Sequence, residues 1–375
     1  MKSIKFEKRT VFYFLFFIIL SFAKGIGLDN NDLFFNTLTV FSVILLFIHI
    51  FNEKYSVREI LFIAIFTILG IVILIASKKT TILISIVSII LAKNINYEKL
   101  FKAVFVVRLL GFISVISLSL MGLVENVKSY RLLETGDIIT RYSLGFQHAN
   151  ITYLNFLVLV ILYIYINYEK LRGRQYIFIL ILSWILYAVT DSRTGFLVLL
   201  ITILINILSK KKKLINNFFV RKGIILMPII CSFFILSTSI FYSTSNKLLY
   251  ELNSVLTGRL ELSSRFLKMY NIKLFGQTII EGSNVNGSYL RIDSGYISLL
   301  LGYGFIIFII FIIAQISILK RYINSGNNRE IALIISFLIY GITEVYIYNI
   351  FINISLIFLS DLLYKKESYY KLKSN

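Results

Sequence analysis

The sequence predicts an all-α polytopic membrane protein with about twelve transmembrane helices, both termini cytoplasmic, and a long outer loop over residues 244–293. Three observations predict it. Of 375 residues, 58% are apolar and only 15% charged, whereas a soluble domain carries about 25% charged residues. Apolar runs of about 20 residues, each long enough to cross a hydrocarbon core of about 30 Å, recur from end to end. The basic residues also sort by side. With the N-terminus inside, 25 of the 39 Lys and Arg fall in the inner segments, as the positive-inside rule requires of short loops. The net charge of +20 is therefore mostly a topology marker. It does not form the single basic patch of a nucleic-acid-binding protein, and no nucleic-acid partner is expected.

The spans are expected near 10–28, 33–51, 57–77, 80–93, 102–124, 145–167, 175–190, 194–209, 222–243, 294–318, 331–347 and 349–364, all within one transmembrane domain covering 1–375. The first run follows Lys2, Lys5, Lys8 and Arg9 and reads as an uncleaved helix rather than a signal peptide, because no secreted domain follows it. Arg108 lies within the fifth span, where it is expected to snorkel toward the inner end. Two outer segments are long, 125–144 and 244–293. In the second, Leu248, Leu252, Val255, Leu256, Leu260 and Leu262 predict one amphipathic helix over 247–270 lying on the outer surface. Glu261 and Arg265 stand at i, i+4 within it, and EGSNVNGS reads as a flexible linker. Cys231 is the single cysteine, so there is no intrachain disulfide. With two histidines in the chain, and His49 at the opposite end from His148, no metal site is expected.

The outer arginines locate the chemistry. The sixth, eighth and tenth spans run inward from the outer face, so their positive helix ends point outward, where anions are favoured. Each start carries an arginine: Arg141 in RYSLGFQHAN, Arg193 in DSRTGF and Arg291 in RIDSGY. Three such starts on one face suggest a phosphate site, although each arginine alone suits an interfacial anchor. Arg141, His148 and Asn155 recur every seven residues and are expected on one face of the sixth helix. Asp191 and Ser192 also suit an N-cap of the eighth span with Asp191 pairing Arg193. Glu344 requires a partner in the membrane, and an outer arginine would supply it.

RYSLGFQHAN, DSRTGFLVLL, LTGRLELSSRFLKMYNIKLFGQ and IDSGYISLLLGYG, in that order, resemble the Wzy-type polysaccharide polymerases, part of the O-antigen ligase-like membrane glycosyltransferases. The resemblance covers about residues 140–345. It departs from the family at His148-Ala149-Asn150, where the family often has His-Pro-Asn, and at Asp293-Ser294-Gly295-Tyr296. It implies a multi-pass enzyme of the bacterial cytoplasmic membrane, acting without metal or other cofactor. The implied substrates are undecaprenyl-pyrophosphate-linked oligosaccharide repeats, with a chain-length regulator and a flippase as partners. An acceptor hydroxyl would displace the lipid pyrophosphate. The catalytic residues expected are His148, Arg193, Arg259, Asp293 and Glu344; the substrate-binding residues are Arg141, Asn150, Arg265, Arg291 and Tyr296. Arginine suits the task because its planar donor fork matches phosphate oxygens. His148 is expected as a phosphate donor or as the general base. The alternatives are a ligase using the same donor, and a flippase or other transporter of lipid-linked oligosaccharide.

Overall fold

A computed structural model describes residues 10–29, 32–132, 136–283 and 289–364. The terminal basic residues that set the expected orientation and residues 284–288 of the expected linker lie outside these. In chain order the elements begin with α1 (Val11–Gly25), α2 (Leu33–Asn52), α3 (Val57–Ser77), α4 (Thr81–Ile90) and α5 (Tyr97–Leu120). A hairpin follows, β1 (Lys128–Leu132) with β2 (Ile138–Tyr142), and then α6 (Ala149–Ile166), α7 (Gly173–Thr190), α8 (Arg193–Ser209), α9 (Lys212–Ile215) and α10 (Phe218–Ile240). The remainder comprises α11 (Lys247–Val255), α12 (Arg259–Met269), β3 (Gly282–Ser283), β4 (Tyr289–Leu290), α13 (Gly295–Ser298), α14 (Phe305–Ser325), α15 (Asn328–Thr343) and α16 (Ser360–Leu363).

The protein is a mostly helical polytopic membrane protein. Among the described residues, seven helices are long and apolar enough to cross a membrane: α2, α3, α5, α6, α7, α10 and α14. Shorter apolar helices occur at α1, α4, α8 and 354–363. The third expected span coincides with α3, whose start is fixed by a capping box in which Ser56 and Glu59 satisfy each other's backbone N–H. Two small antiparallel strand pairs, which the sequence reading did not foresee, interrupt the helical pattern.

The chain forms two compact units. One contains the stretches up to Lys54 and Ile95–Leu208; the other contains Tyr55–Asn94 and the chain from Ser209 onward. In the first unit α6 is the most enclosed of the long helices. Gly195 on α8 lets Tyr153 of α6 approach so closely that a Cβ would meet the ring at 2.4 Å, the small-residue contact by which helices associate in lipid. The Tyr153 hydroxyl pairs with Ser183 on α7, which ties the three helices together. Arg108 on α5 does not snorkel as expected. It is 1% exposed and donates to Asn155 Oδ1 on α6 at 3.2 Å, because a buried guanidinium is stabilised only by polar partners.

In the second unit the last three expected spans are not continuous helices. α13 passes into a π turn at Leu299–Tyr303, and the chain breaks at Gly304 before α14. Gly304 has φ 102° and ψ 166°, a region essentially restricted to glycine. The freed backbone groups are taken by the segment after α12: Phe305 N–H donates to Lys273 O, Ile306 N–H to Leu274 O, and Gln277 N–H to Gly302 O. After α15 the chain makes 3-10 turns at Val345–Tyr348 and Ile354–Leu359. Irregular backbone at membrane depth persists only when its polar groups are satisfied within protein. Ser85 of α4 does this twice, donating to Tyr348 O at 2.8 Å and accepting from Ile350 N–H at 3.2 Å. Asn353 Nδ2 donates to Ile347 O, and Asn349 Oδ1 accepts from Phe351 N–H.

Ser85→Ala strands two buried backbone groups, each costing about 1–3 kcal/mol. It is expected to lower the thermal unfolding temperature of the purified chain clearly. Ser317→Ala, whose exposed hydroxyl only reaches back to Ile313 O, is expected to change it little.

Candidate functional site

The sequence-predicted residues fall into two clusters, one in each unit. In the first unit Arg141 does not share a helix face with His148 and Asn155, as the heptad spacing suggested. It sits on β2, and α6 begins only at Ala149. The register pairs Ser129 with Arg141 and Arg131 with Ile139. Alternation therefore places Arg131 and Arg141 on one face of the hairpin. Both reach the C-terminal end of α7. Arg141 Nε donates to Thr190 O at 2.9 Å, and Arg131 Nη1 donates to Asp191 O at 3.3 Å and to Asp191 Oδ2 at 2.5 Å. A helix C-terminus presents free carbonyls and partial negative charge, so the two arginines cap it. Arg141 also donates through Nη2 to Asn150 Oδ1, which fixes the first turn of α6.

Asp191 is the residue these contacts enclose. It is 8% exposed, adopts a left-handed backbone at φ 43°, and ends α7 rather than capping α8. Its Oδ1 also faces Arg193 Nε at 3.5 Å. The Arg193 side chain, by contrast, is 41% exposed and opens α8, so its position at a helix start is as expected. His148 is the N-cap of α6: its Nδ1 accepts from Asn150 N–H at 3.1 Å. In its neutral form the ring then carries its proton on Nε2. Arg131 is not among the residues the sequence singles out; the alternation of Tyr130 and Leu132 with Ser129 and Arg131 was the available strand signal.

In the second unit the central residue is Arg259. The 247–270 segment is two helices, not one, because Thr257 and Gly258 both take positive φ. α12 does not lie flat on a surface. Its Arg259, Leu260, Ser263, Ser264 and Phe266 are buried, and it packs against α10. Asn253 on α11 accepts from Leu260 N–H and Glu261 N–H, which satisfies the first turn of α12. The expected Glu261–Arg265 pair forms at 2.5 Å, but half exposed and six residues along the helix from Arg259. Arg265 therefore points away from the buried cluster.

The Arg259 side chain is 4% exposed and donates through Nη2 to Glu344 Oε1 at 2.9 Å. Among the described residues its Nε and Nη1 have no hydrogen-bond partner, nor do the buried hydroxyls of Ser263 and Ser294. Ser263 lies one turn beyond Arg259 on the same face of α12. Asp293 acts electrostatically on Arg259, and Arg291 on Glu344. Burial alone disfavours the guanidinium charge, but Glu344 first and Asp293 next more than offset it, raising the Arg259 pKa above its ordinary value. Arg291 thus joins this cluster from the strand side, four residues before α13, instead of starting a helix. Tyr296 is fully buried and donates its hydroxyl to Leu338 O at 2.8 Å, joining α13 to α15.

The chain matches no protein-family model, no curated protein and no solved structure. The chemistry must therefore be read from the residues themselves. Among the described residues, no group of three or more His, Cys, Asp or Glu could hold a metal ion. The cluster in the second unit can bind an oxyanion: among the described residues the buried Arg259 guanidinium keeps donors on two nitrogens.

Proposed function

We propose that the chain polymerises undecaprenyl-pyrophosphate-linked oligosaccharide repeats at the outer face of the bacterial cytoplasmic membrane, as a Wzy-type polysaccharide polymerase. In this reading twelve segments cross the membrane: the seven long helices, the four shorter apolar ones, and α15. Both termini are cytoplasmic, and the hairpin and α11–α12 lie outside. The observation that carries the reading is Arg259, which commits one nitrogen to Glu344 and, among the described residues, leaves Nε and Nη1 without a partner. Leaving buried charged donors unsatisfied is costly unless a ligand completes them.

The reaction needs little else. Pyrophosphate is a good leaving group once its developing charge is neutralised, and donors aimed at that charge supply the largest effect available. Arg259 serves the pyrophosphate, and the sequence resemblance implies a catalytic role for Arg193 as well. The acceptor hydroxyl attacks the anomeric carbon of the growing chain, the anomeric C–O bond breaks, and the electron pair leaves on the lipid pyrophosphate. The hydroxyl proton passes to a carboxylate, for which Asp293 is the candidate because Glu344 is held by Arg259.

Arg193→Ala, at an exposed position, is expected to lower polymer output at least tenfold at unchanged abundance. Full-length polymer at normal yield would remove Arg193 from the mechanism. Ser254 is exposed on α11, so a Ser254→Cys chain is expected to react with impermeant maleimide from outside intact cells; reaction only after permeabilisation would reverse the orientation. Deletion of the protein tests the function itself. Single lipid-linked repeats accumulating outside support a polymerase, full-length lipid-linked polymer indicates a ligase, and repeats trapped inside indicate a flippase.

A further inference from the structure

The second unit also contains an apolar cavity of about 180 Å³, walled by side chains that include Ile86, Leu299, Phe311, Ala314, Tyr348 and Leu359. The polar groups at its wall are already engaged. Ser85 holds the backbone at Tyr348 and Ile350, and the Tyr348 hydroxyl pairs with Ser298. A buried water needs two to four polar partners, and a dry apolar cavity of about 150 Å³ takes up benzene. The cavity therefore suits a hydrocarbon group of about that size.

The connection to the Arg259 cluster identifies which hydrocarbon. Two elements serve both places. Asp293 and Ser294 precede α13, whose continuation carries Leu299 into the cavity wall about 9 Å further along at helical rise. Glu344 opens the 3-10 turn that ends at Tyr348, about 8 Å further along. A charged, donor-bearing head site and a dry apolar cavity thus lie at successive levels of the same two elements, which is the pattern an anionic amphiphile fits. We infer that this cavity holds the first part of the polyprenyl chain of the donor whose pyrophosphate meets Arg259. The inference rests on the donor reading above and adds a site that the arginines alone do not specify.

The test uses the full chain in phosphatidylcholine nanodiscs, with a polyprenyl phosphate carrying a diazirine near the head end of its chain as the probe. Photolysis is expected to label peptides spanning 299–314 and 356–363, with tenfold excess phosphatidylglycerol leaving the label in place. Ala314→Trp, which fills the cavity, is expected to cut that labelling at least tenfold; Leu363→Phe provides a second, milder filling. Label confined to other peptides, or unchanged in both variants, overturns the inference. Displacement by phosphatidylglycerol overturns it too, because the cavity is then a site for ordinary acyl chains. The wild-type label map decides the matter even if Ala314→Trp fails to fold. Labelling that persists in a chain without polymerase activity supports the lipid site while rejecting the polymerase reading; polymer made by a chain whose cavity takes no label rejects the lipid site alone.

Discussion

Replacing Arg259 with alanine is expected to lower the rate of polymer formation by about 10²–10³, the usual effect of removing one preorganised donor from a developing oxyanion. Stability has to be separated from that effect. Arg259 and Glu344 are both poorly exposed, and removing one partner of a buried pair leaves the other uncompensated, at about 3–5 kcal/mol. Arg259→Ala alone is therefore expected both to lower the unfolding temperature and to slow polymer formation by that factor. The double variant Arg259→Met with Glu344→Gln removes both charges and is expected to recover much of the stability but none of the activity. Arg259→Lys keeps the charge but not the planar fork of donors, and is expected to fall between. Polymer formation by the double variant at the wild-type rate would make the pair a purely structural ion pair.

Gly304→Ala is expected to have the largest effect on folding. The backbone at 304 occupies a region essentially closed to residues with a Cβ, which costs about 1–3 kcal/mol by itself. An added Cβ would also lie 2.3 Å from Gly276 N and 2.5 Å from Leu274 O, against backbone that cannot rotate away. The three hydrogen bonds that stitch 273–277 to the broken helix would be forced apart, releasing the segment that follows α12. The expected outcome is loss of the monodisperse, folded chain on extraction, or a sharply lowered unfolding temperature. Gly326 supplies the comparison: its φ is also positive, at 72°, but nothing lies within 4 Å of an added Cβ. Gly326→Ala should therefore cost only the backbone strain, and equal behaviour of the two variants would contradict this account of the break.

The parts of the fold that were legible in the sequence are those governed by local rules. α3 could be located because its apolar run has the length of a membrane span. The Glu261–Arg265 pair followed from its i, i+4 spacing, and the need of Glu344 for an arginine followed from the cost of an isolated carboxylate, with Arg259 as the partner found. What was missed depends on tertiary contacts. The heptad spacing of Arg141, His148 and Asn155 was misleading because a strand, not a helix, occupies 138–142, and a two-stranded hairpin leaves only a short alternating signal. IDSGYISLLLGYG reads as one apolar helix start until a distant segment, 273–277, supplies hydrogen bonds that make a break at Gly304 tolerable. Asn349 and Asn353, within the last apolar run, were the local sign of irregular backbone, since their side chains compete for the groups a helix would use. At the candidate site, residue types identified the arginines, but only the fold separated Arg141, committed to capping α7, from Arg259, which keeps donors to spare.

The central claim is that these donors release a lipid pyrophosphate as sugar is joined to sugar. The most direct measurement reconstitutes the purified chain in liposomes with a synthetic polyprenyl-pyrophosphate-linked repeat, and follows both products. The account predicts a ladder of glycan lengths with one polyprenyl pyrophosphate released per new linkage, and neither product from the Arg259→Met, Glu344→Gln chain. Repeats that cross the bilayer without lengthening, or a ladder undiminished in that double variant, would contradict it.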